Sequence, residues 1–346
     1  MRPSRSKPWF GGKSRIAAKV WARFGDVPNL VEPFFGSGAV LLARPNWSPD
    51  GNRIETVNDL DCHIANFWRA LQADPEGIAY HADWPVNECD LFARHVWLVK
   101  RKPELQAALE ADPDYYDTKA AGWWVWGICC WIGSGWCSGD GPWSIEDGQL
   151  VHLGDAGRGV NRQLVHLGNA GRGVNRKLVH LGNAWRGVNR KLAANGGLLE
   201  WMQALAVRLK RVRVCCGDWS RVCGETPTVK QGTTAVFLDP PYSHEERAGQ
   251  LYSREMECAD AVREWAIANG GNRQLRIAIC GYFGEHEMPS DWECLQWTAH
   301  GGYGSQAEAG RGRDNKAREC AWFSPHCIRA EGGLGGLFAD EGMEAE

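Results

Sequence analysis

The chain has 346 residues, 44% of them hydrophobic and 23% charged, with a formal net charge of −3. Those totals suit one large α/β domain with a second unit, and they exclude a globally basic nucleic-acid binder, so any basic surface is local. Thirteen cysteines form no paired C-x-x-C frame and are odd in number, which excludes a simple disulfide framework and argues for free thiols in a reducing cytosol rather than zinc. No apolar leader opens the sequence and no run of about 18 apolar residues occurs, so neither a signal peptide nor a membrane helix is expected.

The chain begins with Arg2, Arg5 and Lys7, then runs Trp9-Phe10-Gly11-Gly12-Lys13 into an amphipathic stretch from Ile16 to Phe24. Two glycines ahead of a helix permit close backbone approach to a ligand. Lys13 at a helix start gains nothing from the helix dipole. An anionic ligand group such as a carboxylate explains it; a plain glycine turn is the other reading.

Leu30-Val31-Glu32-Pro33-Phe34-Phe35-Gly36-Ser37-Gly38 reads as a short strand, a glycine turn and the start of a helix. The single G-x-G lacks the third glycine of the dinucleotide fingerprint, and no phosphate-binding G-x-x-x-x-G-K-[ST] loop occurs. Glu55 to Asp59 predicts a second strand ending in an acid. Asp59 lies 21 positions beyond Gly38, about the offset at which a βαβ nucleotide site brings an acid to ribose hydroxyls. A helix is expected from Ile64 to Leu71.

The middle of the chain predicts a helix from Leu91 to Leu109, interrupted at Pro103. An apolar stretch from Trp123 to Trp136 follows, read as packed core before a binding surface, with Trp136 or Trp143 a candidate wedge between stacked bases. Residues 149–190 carry three copies of a 14-residue repeat, the first being QLVHLGDAGRGVNR. Its glycines argue against a helix and its Leu-Val start for a short strand and bend. Eight basic residues and one acid lie between Gln149 and Leu192. That concentration suits a segment tracking a nucleic-acid backbone; a duplicated surface loop is the alternative.

Beyond the repeats, Leu198 to Val212 predicts an amphipathic helix and Val212 to Cys216 a strand leading to Asp218. Val236-Phe237-Leu238-Asp239-Pro240-Pro241-Tyr242 then reads as a strand buried on both faces that ends in a carboxylate, two prolines and an aromatic ring. The prolines remove two backbone donors and hold their carbonyls rigid. An acid, a rigid carbonyl and a flat ring make a site for a planar base bearing an amino group. A helix from Glu255 to Ala268 and strands at 275–280, 293–298 and 319–323 complete the α/β pattern. Gly301 to Lys316 reads as a basic loop, and the acidic tail 331–346 is expected to be disordered.

Taken in order, W-F-G-G-K at 9–13, E-P-F-F-G-S-G at 32–38, N-D-L-D at 58–61 and D-P-P-Y at 239–242 resemble the Dam-type DNA adenine methyltransferases. Phe10 departs from the small residue common in the first motif. The resemblance implies a Rossmann-like S-adenosylmethionine-dependent methyltransferase sheet with helices on both faces. The catalytic domain would comprise residues 1–82 and 198–330, with 83–197 an inserted target-recognition region. It implies S-adenosylmethionine contacts at Trp9, Lys13, Gly36, Gly38, Asp59, Asp218 and Asp239, and catalytic roles for Asp239, Pro240 and Tyr242.

The implied reaction is methyl transfer to N6 of a flipped-out adenine. Asp at the head of the last motif resembles adenine-specific members, whereas cytosine-N4 enzymes more often carry Ser. The implied partner is double-stranded DNA, with or without a cognate restriction enzyme, in the cytoplasm of a bacterial or phage-infected cell; no metal and no membrane are expected. A methyltransferase for RNA adenine or cytosine N4, and a catalytically silent DNA-binding repeat protein, are the competing readings.

Overall fold

The computed structural model describes residues 13–131, 136–137, 143–146, 149–152, 197–241, 250–297 and 319–329. The first half contains α1 (Ala17–Phe24), β1 (Asn29–Glu32), α2 (Ala39–Leu42), β2 (Ile54–Asp59), α3 (Cys62–Ala73), α4 (Pro75–Ala82), α5 (Glu88–Ala111) and α6 (Thr118–Cys130). There follow β3 (Trp143–Glu146), β4 (Gln149–His152), α7 (Gly197–Leu209), β5 (Val212–Cys216), β6 (Thr234–Leu238), α8 (Gln250–Gly270), β7 (Leu275–Tyr282), β8 (Glu293–Gln296) and β9 (Glu319–Phe323).

Seven strands form one mixed sheet in the order β5-β2-β1-β6-β7-β9-β8. The first five in that order are mutually parallel, and β9 runs antiparallel to both β7 and β8. Every residue of β1 and β6 is buried, as expected of parallel strands covered on both sides. Alternate residues divide between two cores, following the period of two along a strand. Leu30, Phe237 and Cys280 join one core with α1, α3, α6 and α7. Val31, Leu238 and Ile279 join the other with Val262 and Ala266 of α8.

Local chemistry sets the helix ends. Asp61, Asp74, Asn87 and Asp117 each cap the helix that follows by accepting a backbone N–H, satisfying a donor the helix leaves unpaired. In α1, Ala17, Val20, Trp21 and Phe24 are buried along one face, and Gly25 ends the helix at φ 62°. A Cβ there would lie 2.5 Å from Ile328. Helix α4 was missed on sequence, although Asp74 at the cap and Pro75 at the first helical position mark its start.

The expected break at Pro103 is corrected: α5 runs continuously through it. Proline costs the interior of a helix one hydrogen bond, but here Leu91 and Leu98 are buried before it and Leu105 and Leu109 after it. Packing on both sides of the proline outweighs the lost bond. Trp136, a candidate wedge, instead fills the notch over Gly127 of α6, where a Cβ would lie 1.8 Å from its ring. Its indole N–H donates to the Trp124 carbonyl at 3.1 Å. The first repeat contributes β4, paired antiparallel with β3; the remaining repeats, the 301–316 loop and the 331–346 tail lie outside the described residues.

A buried ion cluster joins the sheet to the helices behind the glycine turn. Glu55 of β2 pairs with Arg44 at 3.0 Å and with Arg208 of α7 at 2.7 Å. Arg208 also donates to the Leu41 carbonyl in α2 at 2.8 Å. Glu55→Ala would leave two guanidinium groups without their carboxylate. It is expected to cost about 3–5 kcal/mol, read as a lowered urea midpoint at unchanged slope.

Candidate active site

Strand order reverses between β1 and β6: from β1 the chain moves outward through β2 and β5, then returns to place β6 on the other side of β1. Connections diverge there, and open α/β sheets take their ligands in such a crevice at the carboxyl ends of the strands. A cleft of about 850 Å³ lies at this point. Lys13, Glu32, Gly36, Asp59, Asp218, Asp239 and Pro240 all line it. Residues from three distant stretches of sequence therefore share one cavity.

The glycine turn is held by its neighbours. Asn58 donates its side-chain amide to the Pro33 carbonyl at 3.0 Å and to the Gly217 carbonyl at 2.9 Å. One side chain thus ties together the ends of β1, β2 and β5. The Phe35 N–H donates to the Asn58 carbonyl at 2.9 Å, and the Trp68 indole to the Gly36 carbonyl at 3.0 Å. Gly36 and Gly38 adopt φ 48° and 67°, where side chains other than glycine are strained. A Cβ on Gly38 would also meet the Phe35 ring at 2.9 Å.

Asp59 accepts the Gly36 N–H on Oδ2 and the Asp61 N–H on Oδ1, both at 2.9 Å. Burial, reinforced by the Asp61 charge, pushes its carboxyl up to about 7 against the pull of those N–H donors. Asp218 caps the short 3-10 turn Trp219–Val222, its Oδ1 accepting the Ser220 N–H at 2.9 Å. Phe34 and Trp219 stack across the cleft wall with centroids 6.4 Å apart and planes 26° apart, an apolar plate for a flat ring.

Lys13 lies in the turn just before α1, its carbonyl accepting the Ala17 N–H at 2.9 Å. Where a ligand anion was expected, carboxylates of the protein itself stand beside it. Its ammonium is 3.1 Å from Asp239 Oδ1 and 3.8 Å from Glu319 Oε2. Burial opposes the charge, but the carboxylates of Asp239 and Glu319 hold the Lys13 pKa above the ordinary lysine value. Trp9 and Tyr242 lie outside the described residues.

Glu32, Asn58, Phe34, Trp219 and Glu319 were not singled out on sequence as site residues. Glu32 had a signal, being a carboxylate flanked by the apolar Leu30, Val31, Pro33, Phe34 and Phe35 ahead of the glycine turn. Its carboxyl is driven well above the ordinary range by burial first and by the nearby Glu55 charge, and its Oε1 has no hydrogen-bond partner among the described residues. Glu319 had none: only the pairing of β9 with β7 brings it beside Lys13.

Residues 9–118 match the D12 class N6 adenine-specific DNA methyltransferase family. The resemblance drawn from the ordered motifs stands on that match, and the enzyme class that goes with it is adenine-specific DNA methylation. The matched segment contains Lys13, the glycine turn and Asp59, and ends before Asp239. No curated protein matches the chain. Among the described residues no group of three or more His, Cys, Asp or Glu is arranged to hold a metal ion. No helix among them is long and apolar enough to cross a membrane.

Asp59 makes stability depend on pH in a definite direction. Its folded-state value lies above the unfolded one, so its contribution is full at low pH and is lost as pH rises through about 7. Urea midpoints are expected to fall between pH 5 and pH 8. The part due to Asp59, at most about 3 kcal/mol over that window, should vanish in Asp59→Asn.

Proposed function

We propose that this cleft transfers a methyl group from S-adenosylmethionine to N6 of an adenine flipped out of double-stranded DNA. The observation that carries the reading is the meeting of Asp239 with the Gly36–Gly38 turn and Asp59 in one cleft at the strand-order reversal. The D12 class match supports the adenine-specific enzyme class, and the covered seven-stranded sheet is compatible with a methyltransferase fold.

The residues present fit the cofactor. Gly36, which lines the cleft, adopts a positive φ that lets a ligand approach without a Cβ in the way, while Gly38 makes room for the Phe35 ring that shapes the turn. Asp59, near its midpoint at neutral pH, gains two hydroxyl donors if a ribose binds, which favours its ionised form. Phe34 and Trp219 offer a stacking surface near Asp218 for an adenine ring. We assign Trp9 and Lys13 to the methionine end, with Lys13 also holding Asp239 in place. When bound, S-adenosylmethionine supplies an electrophilic methyl group on a sulfonium.

The exocyclic amine of adenine is a poor nucleophile because its lone pair is delocalised into the ring. Asp239 and the Pro240 carbonyl accept its two hydrogens and favour the tetrahedral nitrogen on which positive charge develops. Lys13 engages Oδ1 of Asp239, so we assign the amine to Oδ2. No covalent intermediate is needed; positioning and charge stabilisation do the work. The base is inaccessible to this chemistry inside a duplex, and Tyr242 is assigned as the ring that stacks on it once extruded. The basic repeats within 83–197 are assigned to the DNA backbone as part of a recognition region. The reading holds with or without a restriction partner.

Incubation with labelled S-adenosylmethionine and unmethylated DNA is expected to yield N6-methyladenine. Its absence across varied sequences would overturn the reading, and N4-methylcytosine, or label in RNA alone, would favour the competing substrates. Asp239→Ala is expected to lower kcat by at least about 10³-fold while cofactor binding survives in part, measured by nucleoside chromatography and a binding titration.

A further inference from the structure

The cleft does not end at Lys13. The Lys13 ammonium also reaches Glu319, at the start of β9, at 3.8 Å, with the Glu319 side chain 12% exposed. Lys13, 5% exposed, sits between the two carboxylates, with its ammonium 5.8 Å from the Trp297 ring centroid. Asp239 lines the cleft and Glu319 does not. Lys13 and Asp239 both line the cleft, and Glu319 reaches the same ammonium without lining it.

An ammonium paired with one carboxylate at this depth neutralises it. In a poorly solvated site that would remove much of the negative potential available to a nitrogen gaining positive charge. A second carboxylate changes the balance. With Glu319 present, two carboxylates rather than one engage the ammonium, and Lys13 is shared rather than surrendered to Asp239. The neighbouring Cys280 adds no charge, since burial pushes its thiol well above the ordinary range and keeps it neutral.

We infer that Glu319 is a positioning residue for the transfer, acting through Lys13 to hold Asp239 in place with its negative potential largely intact. The inference rests on reading the cleft as the site of adenine N6 methylation. Among the described residues, the titratable groups facing Glu319 are Lys13 from the turn before α1, Asp239 from the end of β6 and Cys280 from β7, with Glu285 nearby in sequence beyond β7. Glu285 accepts the Tyr282 N–H at 2.7 Å, and Tyr282 is the register partner of Glu319. The Glu319 carbonyl accepts the Trp297 N–H at 3.1 Å, which fixes the backbone from which the carboxylate reaches Lys13.

Burial raises the Glu319 carboxyl above the ordinary glutamate value, Lys13 pulls it down in part and Asp239 adds to the rise. As pH falls, Glu319 therefore takes up a proton earlier than an exposed glutamate, and its hold on Lys13 is lost. The wild-type rate should show an acid limb that Glu319→Gln lacks, because glutamine mimics the protonated state at every pH.

The test measures single-turnover methylation and cofactor affinity of wild type, Glu319→Gln and Glu319→Asp from about pH 5.5 to pH 8. Glu319→Gln should be slower by about tenfold at the upper end and approach wild type at the lower end, with cofactor affinity within about twofold. Glu319→Asp keeps the charge on a shorter arm and should lose less, by about threefold, with the same convergence; it carries the test if the glutamine variant does not fold. In a Lys13→Met background, Glu319→Gln should add no further loss, since both act on one unit. A loss by the same factor at every pH, no loss, or full additivity with Lys13→Met overturns the inference. A wild type that methylates no DNA overturns the functional reading itself, a separate outcome.

Discussion

The site depends on the position of β1, a four-residue strand flanked by β2 on one side and β6 on the other. The chain leaves β1 in one direction and returns on its opposite flank, which puts the carboxyl ends of β1 and β6 at the strand-order reversal. The sheet itself therefore leaves the crevice open. Burial on both faces keeps β1 from moving, and Asn58 ties the ends of β1, β2 and β5 together. The glycine turn inherits that rigidity, as does Asp59, whose carboxylate accepts an N–H from the turn itself.

The electrostatics of the cleft run against stability. Glu32, Asp59 and Glu319 are all shifted upward, with burial as the first cause in each. A fold optimised only for stability would replace such groups with apolar side chains. Concentrating acids around one cavity makes sense where hydroxyls must be gripped and a positive charge moves from one atom to another. The Glu55 cluster behind the glycine turn follows the opposite logic: its carboxylate meets two guanidinium groups and ties the sheet to α7 and α2.

Much of the architecture was legible in residue patterns. Val236 to Leu238 reads as a strand buried on both faces and proves to be one. The amphipathic helix to Phe24, the strand ending at Asp59 and the strand ending at Cys216 also form as expected. Misreadings came where tertiary packing overrode a local rule. Pro103 did not break α5, because leucines on both sides of it are buried. Trp136 does not project as a wedge, because Gly127 provides a notch that its ring fills. For Lys13 a ligand anion was expected, whereas the carboxylates beside it are Asp239 and Glu319 of the chain itself.

The sequence by itself determined the chemical inventory and its order: an aromatic-glycine-lysine start, a glycine turn, an acid one strand later, and an acid before two prolines. Those are properties of short segments, set by backbone conformational freedom and side-chain chemistry, and they pointed to one enzyme family. Only the tertiary structure decided which groups meet. Lys13 and Glu319 are separated by almost the whole length of the chain, and no periodicity or spacing relates them. The antiparallel pairing of β9 with β7 brings Glu319 beside Lys13. The parallel pairing of β6 with β1 brings Asp239 beside the glycine turn. Strand pairing is long-range, and the potential at Asp239 is a sum over charges that only that pairing assembles.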